Sequence, residues 1–175
     1  YTWTGQPLIT VNKQEKGAPN AQTSVVVTQY SYDDLGRVSQ VDKKVQHSLV
    51  NGGAMASSFT PVVKNEYDAL GRLLKKNEGN KPGAPGNPLA KLEYQYNIRG
   101  WMLSANKDYM ASSTNNDQFF GFELGYDKGP QFSGSWGGFQ FNGNISGTIW
   151  KSEGDQEKRK YDFSYDAANR LLKAD

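Results

Sequence analysis

The chain has 175 residues, 36% of them hydrophobic and 13% aromatic, with 19 glycines and a net charge of +2. That length suits one ordinary domain, and the low apolar content argues against a thick core. The charge is too small to imply nucleic acid or an anionic membrane surface, no apolar run is long enough for a transmembrane helix, and the absence of cysteine excludes disulfide scaffolds, thiolate-bound zinc and cysteine nucleophiles.

Residues 1–8 open in a strand-like pattern, as though cut from something longer, with Thr4-Gly5 as a turn and a returning strand up to Lys13. Residues 14–22 hold Gly17, Pro19 and Asn20 and read as a loop. Residues 23–33, rich in Val and Tyr, read as a strand whose hairpin partner is 37–47. Residues 51–58 are a connection. Residues 59–68 and 72–77 form the next hairpin, and 89–97 with 101–108 the third. Between these two hairpins, 78–88 carries three prolines and three glycines and reads as a long exposed loop.

Residues 110–117 are polar and small, again a connection. Residues 118–127 are a strong strand, and 128–138 is a Gly- and Ser-rich stretch around Trp136. Asn142-Gly143 is the strongest two-residue hairpin signal in the chain, with a return strand over 145–151. After a charged loop at 152–157, residues 158–166 and 170–174 form the last hairpin. The pattern predicts an all-β chain of about a dozen strands and no helix. It is a single array over 1–175 of antiparallel hairpin repeats in an extended, twisted sheet.

One short unit recurs. It is Tyr-Asp-Asp-Leu-Gly-Arg-Val at 32–38, Tyr-Asp-Ala-Leu-Gly-Arg-Leu at 67–73, Tyr-Asn-Ile-Arg-Gly-Trp-Met at 96–102 and Tyr-Asp-Ala-Ala-Asn-Arg-Leu at 165–171. Asp and Gly three apart suit the first and fourth places of a type I turn. The carboxylate can accept from backbone N–H groups two or more residues on, and the glycine tolerates the positive φ of a following G1 bulge. Asn169 takes the glycine place as the usual non-glycine visitor to that region. Flanking residues alternate: Leu92, Tyr94 and Tyr96 share one side, as do Tyr161, Phe163 and Tyr165, and Phe120, Phe122, Leu124 and Tyr126. This period of two predicts half-buried strands with a buried aromatic face and a polar face to solvent. Tyr32 to Tyr67 spans 35 residues and Tyr67 to Tyr96 spans 29, so the turns agree while the connections vary.

Tyr-Asp-x-x-Gly-Arg-Leu closely resembles the YD repeat of bacterial Rhs proteins. Residues 32–38 and 67–73 match it, 165–171 matches with Asn for Gly, and 96–102 departs at Asn97 and Trp101. Residues 97–101 and 141–146 also look like variants found in that family. The resemblance covers nearly the whole chain. It implies a long β-sheet that spirals into a hollow shell around a toxic or adhesive C-terminal polypeptide, in a secreted or cell-surface protein serving toxin delivery, competition or adhesion. The plug and the self-cleaving aspartyl segment that close such shells have no match here, so the chain reads as wall material. The partners implied are neighbouring repeats, an encapsulated C-terminal toxin domain or surface glycans. Raw sheet edges also predict self-association.

Chemistry has few candidates. A hydrolase triad would need His47, with Ser48 or Ser57 as nucleophile, and no nucleophile elbow occurs. Asp33, Asp34 and Asp155 fit no calcium loop and read as turn carboxylates. Glu66 with Asp68, or Asp162 with Asp166, would share a polar face with nothing to isolate one acid. Lys158-Arg159-Lys160 reads as a solvated strand edge. No catalytic residue, cofactor or metal site is expected. The rival expectation is a carbohydrate-binding module using tryptophans, with Trp136 the most exposed, Trp101 and Trp150 beside it and Trp3 a further aromatic. Trp101 alternates with Leu103 and is expected to pack.

Overall fold

A computed structural model describes residues 1–112, 117–130 and 134–175. The parts of the two predicted connections at 113–116 and 131–133 lie outside the described residues. The strands are β1 (Ile9–Lys16), β2 (Gln22–Tyr32), β3 (Val38–His47), β4 (Thr60–Tyr67), β5 (Leu73–Glu78), β6 (Ala90–Tyr96), β7 (Met102–Ala105), β8 (Phe120–Gly125), β9 (Gly147–Ser152), β10 (Lys158–Tyr165) and β11 (Leu171–Ala174). A single short helix among the described residues, α1 (Lys107–Ala111), follows β7. The 11 strands form one antiparallel sheet in chain order, with β1 and β11 at its ends, so the sheet is all-β and not closed into a barrel. By compactness the chain falls into two units, Tyr1–Gly71 with Lys76–Leu89, and Arg72–Lys75 with Ala90–Asp175.

Sequential order is set locally at the motif turns, where the reversal is so tight that the next strand pairs beside the one just left; the longer connections, such as 48–59 and 79–89, likewise return the chain to the neighbouring place in the sheet. Tyr32 faces Val38, Tyr96 faces Met102 and Tyr165 faces Leu171, each next to a register shift. That shift is the bulge the motif predicts. The left-handed place is held by Gly36 (φ 77°), Gly71 (φ 83°), Gly100 (φ 82°) and Asn169 (φ 62°). The proline-rich loop is also built from turns. Lys81 pairs with Ala84, and the Asn87 N–H donates to the Ala84 carbonyl (3.1 Å). Each of these two turns places a Pro-Gly pair at its centre, with Gly83 and Gly86 at positive φ, as a type II turn needs.

In the second unit the structure departs from the alternation in three ways. First, β7 stops at Ala105 instead of running to residue 108, and α1 follows. Asn106 causes the break by taking φ 50°, ψ 50°. Its side chain then stands in for the missing ladder: Oδ1 accepts from the Glu93 N–H (2.8 Å) and Nδ2 donates to the Phe120 carbonyl (2.7 Å). Second, Asn142-Gly143 joins no strand pair. β8 pairs directly with β9, and Asn142 and Asn144 turn their amides to the Asn169 side-chain oxygen (2.7 and 3.1 Å).

Third, the buried side of β8 is the glycine side, not the aromatic one. Gly121, Glu123 and Gly125 are covered, while Phe120 stays 44% exposed. A Cβ on Gly121 would lie 3.0 Å from Met110, and one on Gly125 2.3 Å from Trp136. Bare backbone is what lets α1 and Trp136 seat there, making a small core of Met110, Trp136 and Ile149. The aromatic side carries a half-open row in which Trp150 stacks on Tyr161 (5.2 Å) and Tyr161 on Phe163 (6.5 Å).

The turn geometry is directly testable in the first unit. Gly71→Val puts a β-branched residue at φ 83° and its Cβ 3.2 Å from the Arg37 guanidinium. It should cost roughly 1–3 kcal/mol in chemical denaturation. Gly17→Ala, which meets nothing within 4 Å, should stay within about 0.5 kcal/mol of the parent. Equal stability of the two variants would contradict the turn.

Candidate functional site

The recurring motif is the best-organised set of polar side chains in the molecule, and every member of it has a bond. Asp33 Oδ1 accepts from the Leu35 N–H (3.0 Å) and the Arg37 N–H (2.9 Å), and Oδ2 accepts from Arg37 Nε (2.7 Å). Asp166 repeats this with Ala168, Arg170 and Arg170 Nε at 2.9, 2.9 and 2.6 Å. Asn97 offers its amide oxygen to the Arg99 and Trp101 N–H groups, both at 2.9 Å. Asp68 accepts from the Leu70 N–H (2.9 Å). In the first turn, Thr2 Oγ1 accepts from the Gln6 N–H (3.0 Å). The main chain closes each loop, as when the Gly36 N–H donates to the Asp33 carbonyl (2.9 Å) and the Asp33 N–H to that of Arg37 (2.9 Å).

A second layer links each motif to an earlier turn. The tyrosine that opens each motif donates its hydroxyl to a main-chain carbonyl in the turn before. Tyr32 reaches Pro7 (2.8 Å) and Tyr67 reaches Val38 (2.9 Å) in the first unit. Tyr96 reaches Leu73 (3.0 Å) and Tyr165 reaches Ile145 (2.8 Å) in the second. Each acceptor is the second residue after the left-handed glycine: Gly5, Gly36, Gly71 and Gly143. The arginine between them adds to this link. Arg37 lies over the Tyr67 ring (4.5 Å) and Arg72 over the Tyr96 ring (4.8 Å), as a cation over an aromatic face. We call this pairing of hydroxyl to carbonyl and guanidinium to ring the latch. Periodicity alone did not indicate it; the constant spacing of Tyr, Gly and Arg was the available signal.

These bonds shift the acids. The Arg37 N–H holds the Asp33 carboxyl below its ordinary value, helped by the Arg37 guanidinium. The Arg170 N–H and guanidinium do the same to Asp166. Asp155, outside the motif, is drawn to about 2 by the Arg159 guanidinium, which donates to it.

The other predicted residues are dispersed. His47 Nδ1 accepts from the Leu49 N–H (3.1 Å), and Ser48 Oγ from the Thr23 N–H (3.2 Å), so both are engaged in the turn after β3. Asp162 accepts from the Gly137 N–H (3.1 Å) and from Lys160 Nζ (2.6 Å). Among the described residues, no three His, Asp or Glu side chains gather closely enough to hold a metal ion. Trp136 is not exposed, as the loop composition suggested, but 5% accessible, because Gly125 and Gly147 leave room for its ring on the sheet. Trp101 packs as expected, with Arg99 over its ring (5.0 Å) and Tyr126 against it (5.1 Å). Trp150 is occupied by Tyr161. The fully exposed tryptophan is Trp3, at the apex of the first turn.

A cleft of about 470 Å³ in the second unit is lined by Tyr96, Arg99, Glu123, Tyr126, Lys128 and Trp136, among others. Its charges include both signs, and Arg99 lies 3.8 Å from Asp127 at its margin. Compared with protein-family models the sequence matches none, and it matches no curated protein.

Two outcomes check this geometry. A Cβ on Gly147 would fall 2.4 Å from the Trp136 ring and 2.6 Å from the Tyr161 carbonyl oxygen. Gly147→Ala should therefore displace Trp136, costing roughly 1–3 kcal/mol with loss of near-UV ellipticity; a silent substitution would place the ring elsewhere. The second outcome concerns acid. Asp33 and Asp166 have folded values below the ordinary 3.8, so their stabilisation is present above 3.8 and lost as pH falls through the lower folded values. Asn97 does not titrate. Amide exchange at Leu35, Arg37, Ala168 and Arg170 should rise on acidification relative to Arg99 and Trp101. Parallel behaviour of all six would remove the carboxylates from the account.

Proposed function

We propose that this chain is a non-catalytic structural repeat region of a secreted or cell-surface Rhs-type protein. Its sheet forms part of a shell or scaffold that encloses or displays other segments of the same polypeptide. The observation that carries the reading is the latch. In four contacts a tyrosine hydroxyl is used on the carbonyl of an earlier turn at 2.8–3.0 Å. The motif's acid, glycine, arginine and tyrosine are thereby devoted to folding the chain back and fastening hairpin to hairpin. The partners that suit this arrangement are neighbouring repeats, an enclosed toxic or adhesive segment, and strands that cover the sheet edges. The surface location rests on the likeness of 32–38 and 67–73 to YD repeats.

On bacteria making the parent polypeptide, a membrane-impermeant label should reach the repeat region on intact cells, and labelling only after lysis would overturn the surface role. A glycan array separates the scaffold from an adhesive module: specific binding lost in Trp136→Ala, Trp101→Ala, Trp150→Ala or Trp3→Ala would favour adhesion. The latch has its own measurement. Tyr67→Phe keeps the ring and removes the hydroxyl, and should cost about 0.5–1.5 kcal/mol. Tyr30→Phe, outside the motif, should cost less.

A further inference from the structure

The sequence contains two Asn-Gly pairs, Asn51-Gly52 and Asn142-Gly143. An asparagine before glycine can be attacked at its own side-chain carbon by the next backbone nitrogen, because glycine has no Cβ to hinder the approach. Both asparagines are exposed and both glycines take positive φ, 64° and 101°, so neither burial nor backbone separates the pairs. Their hydrogen bonds do. The Asn51 carboxamide points backwards along the chain: Oδ1 accepts from the His47 N–H (2.7 Å) and Nδ2 donates to the Val45 carbonyl (2.8 Å). The Asn142 carboxamide points forwards: Oδ1 accepts from the Asn144 N–H (3.1 Å), an Asx turn whose ring runs through the Gly143 nitrogen. Its Nδ2 donates to Asn169 Oδ1 (2.7 Å), which also takes the Asn144 amide (3.1 Å).

We propose that Asn142 is a self-modification site, converting through a cyclic imide to aspartate and isoaspartate, and that Asn51 is not. The Gly143 N–H gives its proton to solvent base, and the nitrogen bonds to Asn142 Cγ. Negative charge collects on Oδ1, where the Asn144 N–H already donates as an oxyanion donor would. The Cγ–Nδ2 bond then breaks and ammonia leaves, taking a proton from water. Water next adds to one of the two imide carbonyls. Breaking the new N–Cγ bond gives aspartate. Breaking the original peptide bond gives isoaspartate, with the chain now running through the side chain. The sum is asparagine plus water to an acid plus ammonia, with no oxidation or reduction. At Asn51 two bonds must break before the carboxamide can swing to Gly52. At Asn142 the Asn144 contact already holds it within reach. The product carries a carboxylate where Nδ2 donated, so it meets the Asn169 oxygen acceptor to acceptor. Modification thus releases the 141–145 segment from the last motif, whose left-handed place Asn169 holds. This goes beyond the scaffold reading and does not depend on it.

The test incubates the full chain in mildly alkaline buffer, folded and in urea. Both sites are followed by peptide mapping with mass spectrometry and by isoaspartyl methyltransferase labelling. In the folded chain Asn142 should be modified about 2–10-fold faster than Asn51, the factor for one modest hydrogen bond kept or broken. In urea the two rates should converge, since only the local sequence then acts. Asn142→Gln, which cannot close the same small ring, should remove the signal at 142 and leave that at 51. Asn142→Asp, the product with its main chain intact, should raise amide exchange over 169–173 and leave 33–37 unchanged. Equal rates in the folded chain, a faster Asn51, or a rate ratio that survives urea unchanged would each overturn the site. Exchange over 169–173 unmoved by Asn142→Asp would overturn its release of the last motif.

Discussion

The structure depends on one local constraint, a side-chain oxygen at the first position of a turn accepting from two backbone N–H groups ahead of it. In the turn at 33–37 that oxygen belongs to Asp33, and it ties down Leu35 and Arg37 together. Once those amides are held, the residue between them must take positive φ, which only glycine or a residue such as asparagine accepts cheaply. The chain then reverses, and the returning strand has the outgoing one as its nearest partner. Four steps of the sheet order, β2 to β3, β4 to β5, β6 to β7 and β10 to β11, repeat this event. The reversal also fixes two side chains relative to each other. The tyrosine ends the outgoing strand and the arginine begins the return, so both stand at the rim where the next hairpin arrives. The latch is a consequence of the turn rather than a separate invention.

Magnitudes explain why the latch takes this form. A hydroxyl-to-carbonyl bond contributes about 0.5–1.5 kcal/mol net, and an exposed guanidinium over a ring about 0.5–1 kcal/mol. Ordering one residue's backbone costs about 1–2 kcal/mol, so no single latch holds a hairpin in place. The backbone ladder and burial of apolar surface must supply the rest. Tyrosine suits a thin sheet because its ring covers a neighbour while its hydroxyl keeps a polar partner. In the second unit more burial is available, because Gly121, Gly125 and Gly147 admit Met110 and Trp136 against the strands. Lys151, 6% exposed on β9, is tolerable there because its ammonium donates to the Ser112 carbonyl (2.6 Å) at the end of α1.

What was legible in the sequence was what is local. The turns at 33–36, 68–71, 97–100 and 166–169 announce themselves within five residues, and the strands they join follow from the alternation on either side. What was not legible depends on distant backbone. Asn106 reads as one more strand residue until its amide is seen bridging Glu93 and Phe120, on chain segments 13 and 14 residues away. Alternation identifies two faces of β8 but not which one is covered. Hydrophobicity pointed to Phe120 and Phe122, whereas the cover, α1 and Trp136, needed the side without side chains. Asn142-Gly143 is a strong hairpin signal whose amides found a better use at Asn169. The tyrosine-to-carbonyl link lay between these extremes, since the spacing that creates it was visible and its acceptor, a main-chain oxygen, leaves no mark in a sequence.

The substitutions within the repeats argue for a structural reading of the motif. Asp33, Asp68 and Asp166 share their position with Asn97 and Thr2, and each keeps its bond to backbone N–H groups ahead of it. An acid serving as a proton donor or nucleophile could not be exchanged for an amide and keep its role. An acid serving only as an acceptor can. The arginine position behaves alike: in the first turn it holds Gln6, whose amide still reaches forward to the next motif by donating to the Gly36 carbonyl (2.6 Å). The acceptor of each tyrosine is less restricted still, being Pro7, Val38, Leu73 or Ile145, because any residue supplies a carbonyl. The requirements that remain are an acceptor, a left-handed bend, a forward-reaching donor and a ring with a hydroxyl. All four concern how one hairpin meets the next.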